Sequence, residues 1–184
     1  MWTTDLLSRY FESGPLGIVR EHSRYVAGLA LEIAHRLSLP ERECRFIDEA
    51  AMLHDIGVSQ VRAPELGIHG PHTYIMHGVL GREILDREGY PLHALVCERH
   101  TGVGLTLDDI VRQNLPLPHR DMCPQSQSEQ IICFADLFYS KNPDHLGRRK
   151  SVGKVRSKLL PFGEEKVAVF DAWLDTFGYH DPQS

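Results

Sequence analysis

An all-α fold is predicted by three observations. Apolar residues recur at spacings of three and four along nearly the whole chain, strand-like alternation of period two is hard to find, and capping and Gly/Pro signals divide the chain into helix-sized segments. The opening run MWTTDLLSRYFESG lacks the basic stretch and apolar core of a signal peptide. A first long helix is expected from Gly17 to Leu37, with Val26, Leu29, Ile33 and Leu37 as its buried stripe. Ser38 and Glu41 have the spacing of a capping box, with Pro40 in the first turn, so a second helix is expected over Leu39 to Ile56, stopping at Gly57. Val58 to His72 contains Pro64, Gly67, Gly70 and Pro71 and reads as a loop. A third helix is expected over Thr73 to Glu88, ended by Gly89. Pro91 opens a fourth, which runs to His100 and halts at Thr101-Gly102-Val103-Gly104. LTLDDIVRQN reads as a short helix and PLPHRDMCPQS as irregular. Ser126 and Glu129 form a second capping-box pattern ahead of a fifth helix, IICFADLFYS. Ser151 to Leu160 and Glu164 to Phe177 are expected to be closing helices.

A length of 184 residues suits one domain with one core. The net charge of -5 offers no general attraction to a polyanion, which argues against a nucleic-acid duplex as partner. No apolar run approaches the roughly 18 residues needed to span a bilayer, so no membrane association is expected and the cytoplasm is the default location. The four cysteines include no CxxC pair, which points to reduced thiols and not to a zinc knuckle or a disulfide framework. Histidine is the unusual count, with 11 residues.

Residues three, four and seven apart share a helix face. His22 lies on the stripe of Val26, Leu29 and Ile33, whereas His35 points to the opposite side. His54, beside Asp55, follows Ile47, Ala50 and Ala51; His77 shares a stripe with Leu80, Gly81 and Ile84; His100 follows Val96 and Cys97; Asp136 follows Ile132. Five helices therefore each aim a ligand-capable residue at their own packing interface. Any one of these is ordinarily a hydrogen-bonded core residue. Together, several imidazoles and two carboxylates would be costly to bury without cations or tight hydrogen bonds. Imidazole and carboxylate without thiolate suit Zn, Mn, Ni, Co or Fe.

The run AAMLHDIG, with His22 upstream in HSRYVAGLALEIA and Asp136 downstream in ICFADLF, resembles the HD-domain superfamily of metal-dependent phosphohydrolases in its HDIG form. The resemblance covers about residues 18–142 and implies a compact helical bundle over 1–184, with the helices of about 151–177 closing it. It implies that His22, His54, Asp55 and Asp136 are the primary metal ligands. HGVLGREIL around His77 and ERHTGVGLT around His100 are similar to the extra histidine motifs of dinuclear members, in which Asp55 would bridge two ions. The ligand order is similar to that of symmetrical diadenosine tetraphosphate hydrolases, and the later motifs to small uncharacterised archaeal and bacterial HDIG proteins.

The implied function is hydrolysis of a nucleotide or other small phosphate ester or anhydride, with hydroxide activated by divalent metal as nucleophile and Asp55 at the centre of the chemistry. The alternative is a metal-binding module with a regulatory or partner-binding role. His69 and His72, on the loop after HDIG, are candidates to protonate the leaving oxygen, or else exposed loop histidines. Arg99, Lys141 and the run Arg148-Arg149-Lys150 are candidate phosphate contacts, or else a solvated basic face.

Overall fold

The computed structural model describes residues 2–181 and is helical, as the periodicity predicts. Nine α-helices are found among the described residues: α1 (Trp2–Ser8), α2 (Ser13–Arg36), α3 (Glu41–Leu53), α4 (His77–Arg87), α5 (Pro91–Arg99), α6 (Leu107–Arg112), α7 (Gln127–Leu137), α8 (Val152–Leu159) and α9 (Glu164–Phe177). The segment after HDIG is more ordered than a plain loop. A 3-10 turn, Ile56–Gln60, leads into a small antiparallel ladder, β1 (Arg62–Ala63) with β2 (Ile68–His69), in which Arg62 pairs with His69.

Local signals are borne out where a partner sits within a few residues. Ser126 and Glu129 form the predicted capping box of α7, and Ser151 caps α8. The box at Ser38 does not form. Ser38 takes a left-handed φ of 55° as the chain leaves α2, and Pro40 occupies the N-cap of α3. The second helix is consequently shorter than predicted, because Leu53 is its last residue and the chain tightens into 3-10 geometry beyond Asp55.

Two buried apolar clusters position the site. The larger joins α2, α3 and α7 to α8 and α9, with Phe134 of α7 stacked on Phe170 of α9 at 5.4 Å and edge-on to Phe177 at 5.3 Å. The second gathers α1, the start of α2, the end of α3, the HDIG turn, α4 and α5. His22, His54, Asp55, His77 and His100 are buried between them. All four cysteines are free thiols.

A third, small cluster around Ile110 and Met122 is pinned by charge. Asp109 accepts hydrogen bonds from Thr106 and from Lys166 of α9, whose ammonium also donates to the carbonyl of Gly104 at 3.1 Å. Burial works to raise the Asp109 pKa, but Lys166 and Thr106 prevail and lower it to about 2. A carboxylate whose folded pKa lies below its unfolded value contributes stability above the unfolded pKa and loses it as pH falls through the folded one. Urea unfolding between pH 4 and pH 2 is therefore expected to show a loss of about 2 kcal/mol from this group. Asp109→Asn should lower stability at neutral pH and remove that part of the acid dependence. An unchanged acid slope would assign it to other groups.

Candidate metal centre

The centre is built from helix ends as well as helix faces. His22 projects from the middle of α2, whereas His54 and His100 lie one residue beyond α3 and α5, and His77 opens α4. The last three share one device. The Nδ1 of His54 lies 2.6 Å from the carbonyl of Ala51, that of His77 2.7 Å from Tyr74, and that of His100 2.8 Å from Cys97, each three residues upstream. A carbonyl only accepts, so Nδ1 carries the proton and Nε2 turns a lone pair inward.

These lone pairs converge on Asp55. Its Oδ2 lies 3.3 Å from His22 Nε2 and 3.0 Å from His54 Nε2, and Oδ1 of Asp136 lies 2.9 Å and 3.5 Å from the same two nitrogens. Asp55 Oδ1 faces the other way, 3.5 Å from His100 Nε2 and 3.8 Å from His77 Nε2. The carboxylate thus divides its two oxygens between two histidine pairs.

Hydrogen bonding does not account for this packing. Both nitrogens of His22, Nε2 of His54 and both oxygens of Asp55 are buried without an aligned hydrogen-bond partner. His77 Nε2 and His100 Nε2 approach to 3.0 Å, although their Nδ1 contacts make both of them acceptors. Facing lone pairs and orphaned carboxylate oxygens fit a divalent cation. Two groups of donor atoms could hold such an ion: His22, His54 and Asp136, and His54, Asp55 and His100.

The electrostatics agree with that fit. Burial works to lower the His54 pKa, yet Asp55 and Asp136 raise it to about 10, so the field around it calls for positive charge. His77 is lowered to about 3, first by burial and then by the neighbouring His100, which keeps it neutral as a ligand must be. Burial opposes ionisation of Asp55 and Asp136, but His54 and Lys141 hold both well below the usual carboxylate range.

Residues 19–140 match the HD domain family. The chain belongs to the HD domain family. HD domains bind divalent metals, and the superfamily is one of metal-dependent phosphohydrolases. An uncharacterised protein of Methanocaldococcus jannaschii is 35% identical over 121 residues, covering 64% of this chain and 64% of that protein. A tRNA (cytidine(56)-2'-O)-methyltransferase of Picrophilus torridus is 29% identical over 116 residues, covering 60% of this chain but only 30% of the enzyme. The chain thus spans less than two thirds of either relative. No solved structure matches it closely.

The structure sorts the remaining sequence-predicted residues of this HD domain. Lys141 reaches the centre, with Nζ 2.8 Å from Asp55 Oδ2. Arg99 does not, because its Nη1 donates to Glu129 at 3.0 Å and fastens α5 to the start of α7. Lys150 donates to the carbonyls of Leu137, at 2.9 Å, and Tyr139, closing the C-terminal end of α7. Arg149 donates to the Tyr139 hydroxyl at 2.9 Å and lies 3.6 Å from Glu32. Arg148 is exposed, with no side-chain partner among the described residues.

The structure does not bring His69 or His72 to the cluster. His69 is exposed on β2 and lines a separate cavity with Tyr10, Glu12 and Ser59. His72 is fixed through its backbone, its carbonyl accepting from Arg62 N at 2.8 Å. The ladder holds His69 opposite Arg62, and a separate bridge holds His72 against Val61. A residue the sequence reading missed is Tyr74, whose ring lies 4.9 Å from that of His77. It lies three residues before His77 within the expected third helix, on that residue's face, although in the structure it stands in a 3-10 turn ahead of α4.

Proposed function

We propose that this HD domain is a phosphohydrolase that holds two divalent transition-metal ions bridged by Asp55 and acts on a small phosphorylated substrate, a nucleotide first among them. The observation that carries the reading is the division of the Asp55 oxygens between two sets of inward-facing nitrogens. His22, His54, Asp136 and Oδ2 of Asp55 would hold one ion; His77, His100 and Oδ1 would hold the other. Fe, Mn, Ni, Co and Zn all suit this nitrogen and oxygen donor set. When bound, the ions supply Lewis acidity toward a phosphoryl oxygen and toward water.

The chain's own residues supply positioning. The backbone-anchored Nδ1–H groups lock each ring so that Nε2 needs no reorientation. Lys141, raised well above its ordinary pKa by Asp55 and Asp136 against the effect of burial, stays an ammonium and is placed to bind a phosphate oxygen. Tyr74 also keeps its proton, its pKa raised first by burial, so its phenol is a donor beside His77. These two replace His69 and His72 as candidates to protonate the leaving oxygen.

Metal analysis after reconstitution, combined with hydrolysis of a panel of nucleotides and simple phosphate esters, tests the reading. About two equivalents are expected. His77→Ala and His100→Ala should each lower the content toward one equivalent while the primary ion stays. Saturation of the unaltered protein at one equivalent, or loss of activity in these variants without loss of metal, would place both histidines outside the coordination sphere.

The partial match to a tRNA methyltransferase favours a second reading, a metal-binding module of regulatory or partner-binding role that accompanies another activity. Two tightly bound ions with no turnover across the panel select it.

A further inference from the structure

A cavity of about 330 Å³ lies beside the metal cluster. Its wall starts where three ligand-bearing segments end: Thr101 follows His100, Leu137 follows Asp136, and Ile75 precedes His77 by two residues. Consecutive Cα atoms are about 3.8 Å apart, so a molecule seated there touches residues adjoining the ligands. The walls are almost wholly apolar, with Leu115 and Leu159 among them, and Phe162 stands at the mouth with half its surface exposed.

We propose that this cavity receives the base of a nucleotide whose phosphate lies at the metal centre, an inference that rests on the phosphohydrolase reading above. Three properties of the cavity select that occupant. Its volume sits at the small end of ligand pockets, which suits a base and not a folded peptide. Aliphatic walls would leave the hydroxyls of a sugar phosphate or glycerol phosphate unpaired, whereas the faces of a base need no partner. The Phe162 ring offers a stacking surface at the entrance, a contact every base can make. Thr101 and Gln113 are the uncharged polar side chains on the lining, so little of a base edge is read and discrimination among bases should be weak.

The cations are arranged to match. Lys158 lines the cavity, Lys141 sits on Asp55, and Lys150 donates to the carbonyl of Leu137, itself a lining residue. Burial first, and then Lys158 and Lys141, bring Lys150 down to about 8 against the pull of Asp136.

The test fills the cavity. Leu115 is half-buried on its lining, and Leu115→Trp occupies the space without altering a ligand. With the metal-loaded protein, kcat/KM for adenosine and cytidine monophosphates should fall at least about tenfold while glycerol phosphate changes less than about twofold. Phe162→Ala, at an exposed position that cannot unfold the core, should raise KM for both nucleotides. Adenosine without a phosphate should raise the Tm of the unaltered protein and not that of Leu115→Trp.

A proportional loss on all substrates, or octyl phosphate preferred over every nucleotide, would overturn the proposal. If no phosphate compound is hydrolysed but adenosine still protects in a Leu115-dependent way, the cavity assignment stands and the phosphohydrolase reading falls. If adenosine fails to protect and Leu115→Trp changes nothing, the cavity assignment falls alone.

Discussion

Asp55→Ala should empty both metal positions together and lower turnover by more than about a hundredfold, since loss of a group that merely orients a ligand already costs 10- to 100-fold. No other side chain in the cluster faces both histidine pairs. Removing His22 or Asp136 leaves the His77 and His100 side with its Asp55 oxygen, and removing His77 or His100 leaves the other side complete. Removing Asp55 also strips Lys141 of its nearest anion. Asp55→Asn is the sharper version, because it keeps the shape and one acceptor oxygen while discarding the charge. Metal content and helical circular dichroism measured on the same sample separate loss of metal from loss of fold. A variant that kept one equivalent at the original affinity would show that the two sides do not depend on a shared carboxylate.

Gly57→Ala should destabilise the protein by about 3 kcal/mol, the upper part of the range for overpacking in a tight core. A Cβ at Gly57 would lie 2.0 Å from the carbonyl oxygen of His77 and 2.3 Å from the backbone nitrogen of Gly81. Both contacts are to backbone, so no side chain can rotate away and α4 itself has to retreat. His77 is the first residue of that helix and retreats with it, away from Asp55 and His100. Urea unfolding should therefore reveal a large loss, and metal analysis a selective loss of the ion on the His77 side. Gly17→Ala is the control: nothing lies within 4 Å of its added Cβ, and alanine favours the interior of α2. Equal stability of the two variants would remove close packing as the reason for glycine in HDIG.

The inward histidines were legible in the sequence because a helical stripe is a local pattern, and a polar residue that interrupts it has no other place to point. His22 and His77 share the apolar faces of α2 and α4 as read. His54 and His100 are also buried as expected, although each falls one residue past its helix, since a chain leaving a helix keeps its last side chain on the same face. The cations were less legible. Lys141, Arg99 and Lys150 look alike as basic residues near a motif, and only packing across 30 residues, from Arg99 to Glu129, reveals which one is already engaged. The helix α1 escaped notice because seven residues are too few to display a period, and it is held by burial of Leu6 and Leu7 against the second cluster.

The way these rings are held has an electrical consequence. His54, His77 and His100 are anchored to carbonyls and not to carboxylates, so Asp55 and Asp136 are the only anions among the six ligand residues proposed. The two dications proposed would outweigh them, and Lys141 would add to the excess. The loaded pit would be a positive spot on a chain whose net charge is -5, its field reversed in sign from that of the surface around it. An anion repelled elsewhere on the molecule would find one opening where approach is downhill, and added salt would flatten that gradient before it disturbed any contact inside.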